Sequence, residues 1–227
     1  MFYYDWTYLL IIPGLILGLW AQHKVKSAYA EYSRISTRLG RSAASVVDDL
    51  LRRNGNNKVR IGRVSGELTD HYNPADETLK LSDGVYASSS IAALGIAAHA
   101  AGHAMQKHEN YAPLRLRTAI VPAVNICSGL STPLFFLGLL MSWEPLLTLG
   151  IILFAASTVF ALVTLPVEFN ASNRAVAMLT EGGYVSREEE RGVRKVLNAA
   201  ALTYVAAAVT SLLSLLRLVM IANRRRD

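Results

Sequence analysis

Four long apolar blocks constrain this 227-residue chain more than any other feature. They run from Trp6 to Ala21, from Ile120 to Met141, from Pro145 to Val167 and from Ala199 to Ala222. A helix needs roughly 20 apolar residues to cross the hydrocarbon core of a bilayer, and each block approaches that length. With 52% apolar residues overall, the chain falls in the membrane class. Between the first two blocks lies a charged stretch of ordinary soluble composition. The expected fold is mostly α: a multi-pass α-helical membrane protein carrying one small α+β domain.

The first block opens on the aromatics Phe2, Tyr3, Tyr4 and Trp6 and runs into Gln22-His23-Lys24. It lacks the basic start and small-residue cleavage site of a secretory signal, so it reads as a retained span with a bend at Pro13-Gly14. Only Ser142-Trp143-Glu144 separates the second and third blocks, which predicts a tight hairpin across the bilayer. The expected parts are a first span at 1–21, a cytosolic domain at 22–118, a membrane hairpin at 119–167, a second polar segment at 168–198, and a last span with a basic tail at 199–227. Arg217 inside the last block is expected to snorkel to the nearer interface.

Basic residues gather in 22–118 and 168–198 and are missing from the hairpin loop, which places those polar segments in the cytoplasm of a plasma-membrane protein. Arg224, Arg225 and Arg226 run against that orientation, since four spans put them outside. The net charge of +6 is scattered among acids without a basic stripe or interleaved aromatics, which argues against a nucleic-acid partner. The single cysteine, Cys127, excludes an intrachain disulfide.

Within the soluble stretch, Lys24–Arg53 has helical spacing, with Val25, Tyr29, Tyr32, Ile35, Leu39, Val46 and Leu50 on the buried face. Asn54-Gly55-Asn56-Asn57 ends it. Short alternating runs at Val59–Val64, Leu68–Tyr72 and Thr78–Leu81 predict a small antiparallel sheet. Ser88-Ser89-Ser90 offers N-caps for a helix reaching about Lys107, and Ser186-Arg187-Glu188-Glu189 opens a solvated amphipathic helix.

The candidate chemistry lies on the first of these helices, in His99-Ala100-Ala101-Gly102-His103. Four residues turn a helix by about 40° beyond a full turn, stacking both imidazoles on one face. Zinc peptidases use this spacing in His-Glu-x-x-His, the glutamate taking a proton from the attacking water. The pair alone also suits histidines packed among alanines. Its setting favours metal, because Ala97, Ala98, Ala100, Ala101, Gly102 and Ala104 form a small-residue surface that other backbone can approach closely. A third ligand must come from elsewhere. Glu168 is the candidate, an acid at the end of an apolar block, where a charge is expensive without a partner; a plain interfacial acid is the alternative. His108, nine residues beyond His99, falls on the opposite helix face.

Five segments in order carry a resemblance over nearly the whole chain. They are Asp70-His71-Tyr72-Asn73-Pro74, Leu79-Lys80-Leu81-Ser82, Ile96 to Gln106 around the histidine pair, Tyr111-Ala112-Pro113-Leu114, and Leu165-Pro166-Val167-Glu168-Phe169-Asn170-Ala171-Ser172. In these the chain resembles the YugP family of membrane zinc metallopeptidases, whose site is similar to that of the HtpX-type gluzincin proteases. The resemblance implies a zincin-type domain, Zn2+ held by His99, His103 and Glu168, and a general base at position 100. It also implies that Thr78, Leu79, Lys80 and Leu81 form an edge strand that pairs with an extended polypeptide.

Ala100 stands where the family has glutamate. Its methyl group accepts no proton, so peptide hydrolysis is expected to be lost while zinc binding survives. Two readings stay open, an inactivating substitution in a protease or a natural pseudoprotease acting as a membrane binding or scaffold protein. His71, Tyr72 and Arg174 could orient a ligand or steady an oxyanion. The expected substrate is a membrane or membrane-near polypeptide, with room for a membrane-protein partner or an oligomer. The four blocks show no inverted halves, which disfavours a transporter.

Overall fold

The computed structural model describes residues 6–224. Phe2, Tyr3, Tyr4, Arg225 and Arg226 therefore lie outside the described residues. Among the described residues four helices are long and apolar enough to cross a membrane. A 3-10 helix at Trp6–Leu10 leads into α1 (Ile12–Tyr32). Pro13 sits in the first turn of α1, where a missing amide costs nothing, so the expected bend becomes a helix start. The others are α5 (Ala112–Leu140), α6 (Glu144–Glu181) and α7 (Arg187–Asn223). At 1.5 Å per residue α6 and α7 each run about 55 Å, well beyond a core of about 30 Å. The amphipathic helix and last span expected as separate pieces are thus one helix.

The chain divides into two compact units. One holds the residues up to Gln22, Leu116–Pro166, and those from Thr203 onward. Its helices meet through small residues, as membrane helices do when backbones approach closely. A Cβ on Gly138 would lie 2.4 Å from the Leu147 nitrogen, and one on Gly150 2.6 Å from the Phe135 nitrogen, which locks α5 against α6. Thr158 and Ser211 share a 2.8 Å hydrogen bond between α6 and α7. Arg217 reaches the N-terminal helix, donating to Thr7 Oγ1 and lying 3.9 Å from the Tyr8 ring centroid.

The second unit comprises His23–Arg115 and Val167–Leu202. After α1 come α2 (Ala43–Arg53), β1 (Arg60–Val64), β2 (His71–Asn73), β3 (Thr78–Ser82), the short α3 (Asp83–Tyr86) and α4 (Ile91–His108). The long helix expected over Lys24–Arg53 is broken at residues 33–42. Ile35 and Leu39, expected inside, are 45% and 52% exposed, whereas Tyr32, Val46 and Leu50 are buried. Ser42 caps α2 by accepting from the Ser45 amide, and that local bond competes with a continuous helix. Ser90 caps α4 by accepting from the Ala93 amide. At the start of α7, Ser186 and Glu189 bond each other's backbone amides as a capping box. The Glu189 carboxylate also accepts from the Arg38 amide, pinning the broken segment to α7.

The sheet corrects a second expectation, since it is mixed rather than antiparallel. Its order is β1-β3-β2, with β3 parallel to β1 and antiparallel to β2. The strand Thr78–Leu81 is therefore the centre of the sheet and not its edge. Leu79 and Leu81 are both 0% exposed, and an apolar strand gains most where both flanks are covered. The arginines of β1 and the exposed His71 of β2 suit edges instead. Asp70 serves this arrangement, its carboxylate accepting from the amide and the hydroxyl of Ser82.

Candidate metal centre

Three donor atoms converge inside the second unit. His99 and His103 on α4 face Glu168 on α6, and the ligand atoms of all three lie within 4.8 Å of one another. Glu168 Oε2 is 3.3 Å from His99 Nε2 and 3.4 Å from His103 Nε2. The imidazoles stand edge to face, with centroids 4.7 Å apart. Glu168 is only 2% exposed, while the histidine side chains keep 22% and 16%. The acid is enclosed and the imidazoles keep an open side.

Helix contact makes this possible. A Cβ on Gly102 would lie 2.4 Å from the Ala171 carbonyl oxygen, so only glycine allows α6 to come this close to α4. Ala97, Ala98, Ala101 and Ala104 of α4 are all 0% exposed, and so are Ala171 and Ala175 of α6. Of the small-residue surface legible in the sequence, Gly102 is the position that α6 meets, while α4 also packs along α2, just beyond which Asn56 donates to the Ala104 carbonyl.

The remaining imidazole nitrogens are engaged. His103 Nδ1 is 3.0 Å from Gln106 Oε1, and His99 Nδ1 is 3.1 Å from Ser172 Oγ. Gln106 is 0% exposed and donates through its amide nitrogen to the Val167 carbonyl and to Asn170 Oδ1. Asn170 Oδ1 also accepts from Arg174 Nε, and Arg174 pairs with Glu109 at 2.6 Å. Burial holds the His99 pKa below its ordinary value, against the opposing pull of Glu168, which keeps a nitrogen lone pair available.

A tetrahedral zinc tests this donor set. Ligand atoms about 2.0–2.1 Å from such a metal lie about 3.3–3.4 Å apart, the separation of Glu168 Oε2 from each Nε2. Two imidazoles and one carboxylate, each histidine backed at its other nitrogen, are the usual chemistry of a catalytic zinc site. The residues fit the metal.

Other candidates fall elsewhere. His71 is exposed and bonds the Thr69 carbonyl through Nδ1. Tyr72 packs against the core of the unit, and burial, then Glu77 and Asp76, push its hydroxyl up to about 12. His108 lies towards Gly55. Arg174 backs the site only through Asn170 and Gln106. Reasoning from the sequence gave no role to Gln106, Asn170 or Ser172. The available signal was that Gln106 and Ser172 each lie one helical turn from a candidate ligand and Asn170 one turn from Arg174, and a metal-binding imidazole needs a partner at its second nitrogen.

The class defined by this fold and site is that of membrane-bound zinc metallopeptidases. The family described as "Putative neutral zinc metallopeptidase" matches residues 7–223, and the chain belongs to it. It is 48% identical over 218 residues to the "Putative membrane protease YugP" of Bacillus subtilis (strain 168), covering 96% of this chain and 97% of that protein. No solved structure matches. Zinc is the cofactor this family implies.

Proposed function

We propose that this chain is a membrane-embedded zinc endopeptidase of membrane or membrane-near polypeptides, silenced at one atom group by Ala100. The observation that carries the reading is the convergence of His99, His103 and Glu168 beside an alanine where the family's proton acceptor belongs. His99 Nε2, His103 Nε2 and Glu168 Oε2 would hold the metal. Zinc, when bound, supplies Lewis-acid polarisation of a scissile carbonyl and acidifies water. A glutamate at 100 would accept the proton of the attacking water and pass it to the leaving amine. Ala100 does neither, and loss of such a base costs roughly 100-fold to 10,000-fold.

Since β3 is covered on both sides, the edge offered to an extended polypeptide is β2, which packs on α4. Among the described residues no strand pairs with its outer side. Lys107, one turn beyond His103, bonds the Pro74 carbonyl and pairs with Glu77 at 3.0 Å, holding the β2–β3 hairpin to the helix of the site. A peptide strand added there would gain backbone hydrogen bonds. The polar segments, and the site with them, are assigned to the cytoplasmic face of the plasma membrane.

The test is Ala100→Glu in detergent with zinc, assayed on unfolded and membrane-protein substrates. Cleavage appearing in Ala100→Glu and abolished by Glu168→Gln supports the reading. A zinc-loaded Ala100→Glu protein that cuts neither class sinks it and leaves the zinc-holding scaffold.

A further inference from the structure

His103 can bind metal through Nε2 only if its proton sits on Nδ1, and a chain of hydrogen bonds decides this before any metal arrives. The Val167 carbonyl can only accept, so the nitrogen of the Gln106 amide must face it. Arg174 Nε can only donate, so Asn170 presents its oxygen, which again requires the Gln106 nitrogen on that side. Two independent anchors thus turn Gln106 Oε1 towards His103, 3.0 Å from Nδ1. An amide oxygen only accepts, so Nδ1 carries a proton, and in the neutral imidazole Nε2 then keeps its lone pair. The arrangement is enclosed, with Gln106 at 0% exposure and Val167 at 0%.

We propose that Gln106 is a positioning residue that fixes the metal-binding tautomer of His103, its own orientation being set by Val167 and by the Glu109–Arg174–Asn170 chain. The two histidines then differ. Ser172 Oγ can donate or accept, so its 3.1 Å contact orients the His99 ring without choosing a tautomer. A lone pair of His103 facing the Glu168 carboxylate oxygen at 3.4 Å is acceptor against acceptor, an arrangement that a cation relieves. The inference rests on the zinc reading for its consequence, but the tautomer itself is a property of the metal-free chain.

The experiment uses the full chain in detergent, labelled with [15N]histidine, and reads the His103 tautomer without metal by long-range 1H–15N correlation. Zinc affinity is measured separately with a competing chelator. Gln106→Met keeps the side-chain length and removes both functions. His103 should then show Nε2–H, and zinc affinity should fall roughly 10- to 100-fold, the usual cost of losing such a partner. Gln106→Glu loses the amide donor but still accepts from Nδ1–H, so it should keep the Nδ1–H form and recover most of the affinity. A purely structural Gln106 predicts that both variants suffer alike. Ser172→Ala should leave the His103 tautomer unchanged.

Persistence of Nδ1–H in Gln106→Met, or equal losses in Met and Glu variants, overturns the proposal. If Gln106→Met does not fold, the Glu variant decides: appearance of Nε2–H there overturns the proposal and its absence supports it. Failure of the unaltered chain to bind zinc would instead count against the metal reading, with the tautomer still measured.

Discussion

Gly102 shows how much one missing methyl group can carry. An added Cβ would meet the Ala171 backbone at 2.4–3.2 Å, and backbone yields less readily than a flexible side chain. Gly102→Ala should therefore push α6 away, taking Glu168 from the histidines. Overpacking of this kind costs about 1–3 kcal/mol, partly offset by the higher helix propensity of alanine. Thermal melts of the metal-free protein should fall accordingly, and zinc affinity should weaken further; an unchanged affinity would show that the helix separation does not matter.

At the same scale the three donors that the fold brings together were readable while their support was not. The spacing of His99 and His103 is local, and an acid closing an apolar block announces a partner. Gln106 acquires its meaning from a carbonyl 61 residues away, and no local pattern records which backbone group will lie across a helix.

Elements were readable where their signals were local. The caps at Ser90 and Ser186 and the span of α4 follow from residues within a turn. The break after Tyr32 was hidden because Ile35 and Leu39 continue a helical period that the folded chain leaves exposed. Strand order was hidden because alternation tells which residues face inward and not which strand lies between two others. The β2–β3 hairpin has only three residues in β2 and depends on the Lys107 contacts to Pro74 and Glu77. Lys107→Met should raise amide exchange across residues 71–78 by roughly tenfold, corresponding to about 1.4 kcal/mol of local opening. Protection in the first turns of α4 should be retained. Equal loosening of α4 would mean that the hairpin is held by packing instead.

For the whole molecule, the apolar blocks made legible the four helices among the described residues that are long and apolar enough to cross a membrane, but block length understated α6 and α7, whose polar continuations belong to the same helices. The assigned orientation can be tested in a Cys127→Ser background. A membrane-impermeant maleimide applied to intact cells should label Trp143→Cys, in the hairpin turn. Glu67→Cys, between β1 and β2, should label only after permeabilisation, and the reverse pattern would invert the topology.

The continuity of α6 also orders events in time. His99 and His103 leave the ribosome early, but Glu168, Val167, Asn170 and Arg174 follow only after α5 and the apolar part of α6 have been synthesised. A nascent chain carrying only the histidine helix has neither the carboxylate nor the groups that turn Gln106. Completion of the candidate metal centre is therefore tied to synthesis of α5 and α6, so in an active relative a truncated product would be harmless to its neighbours.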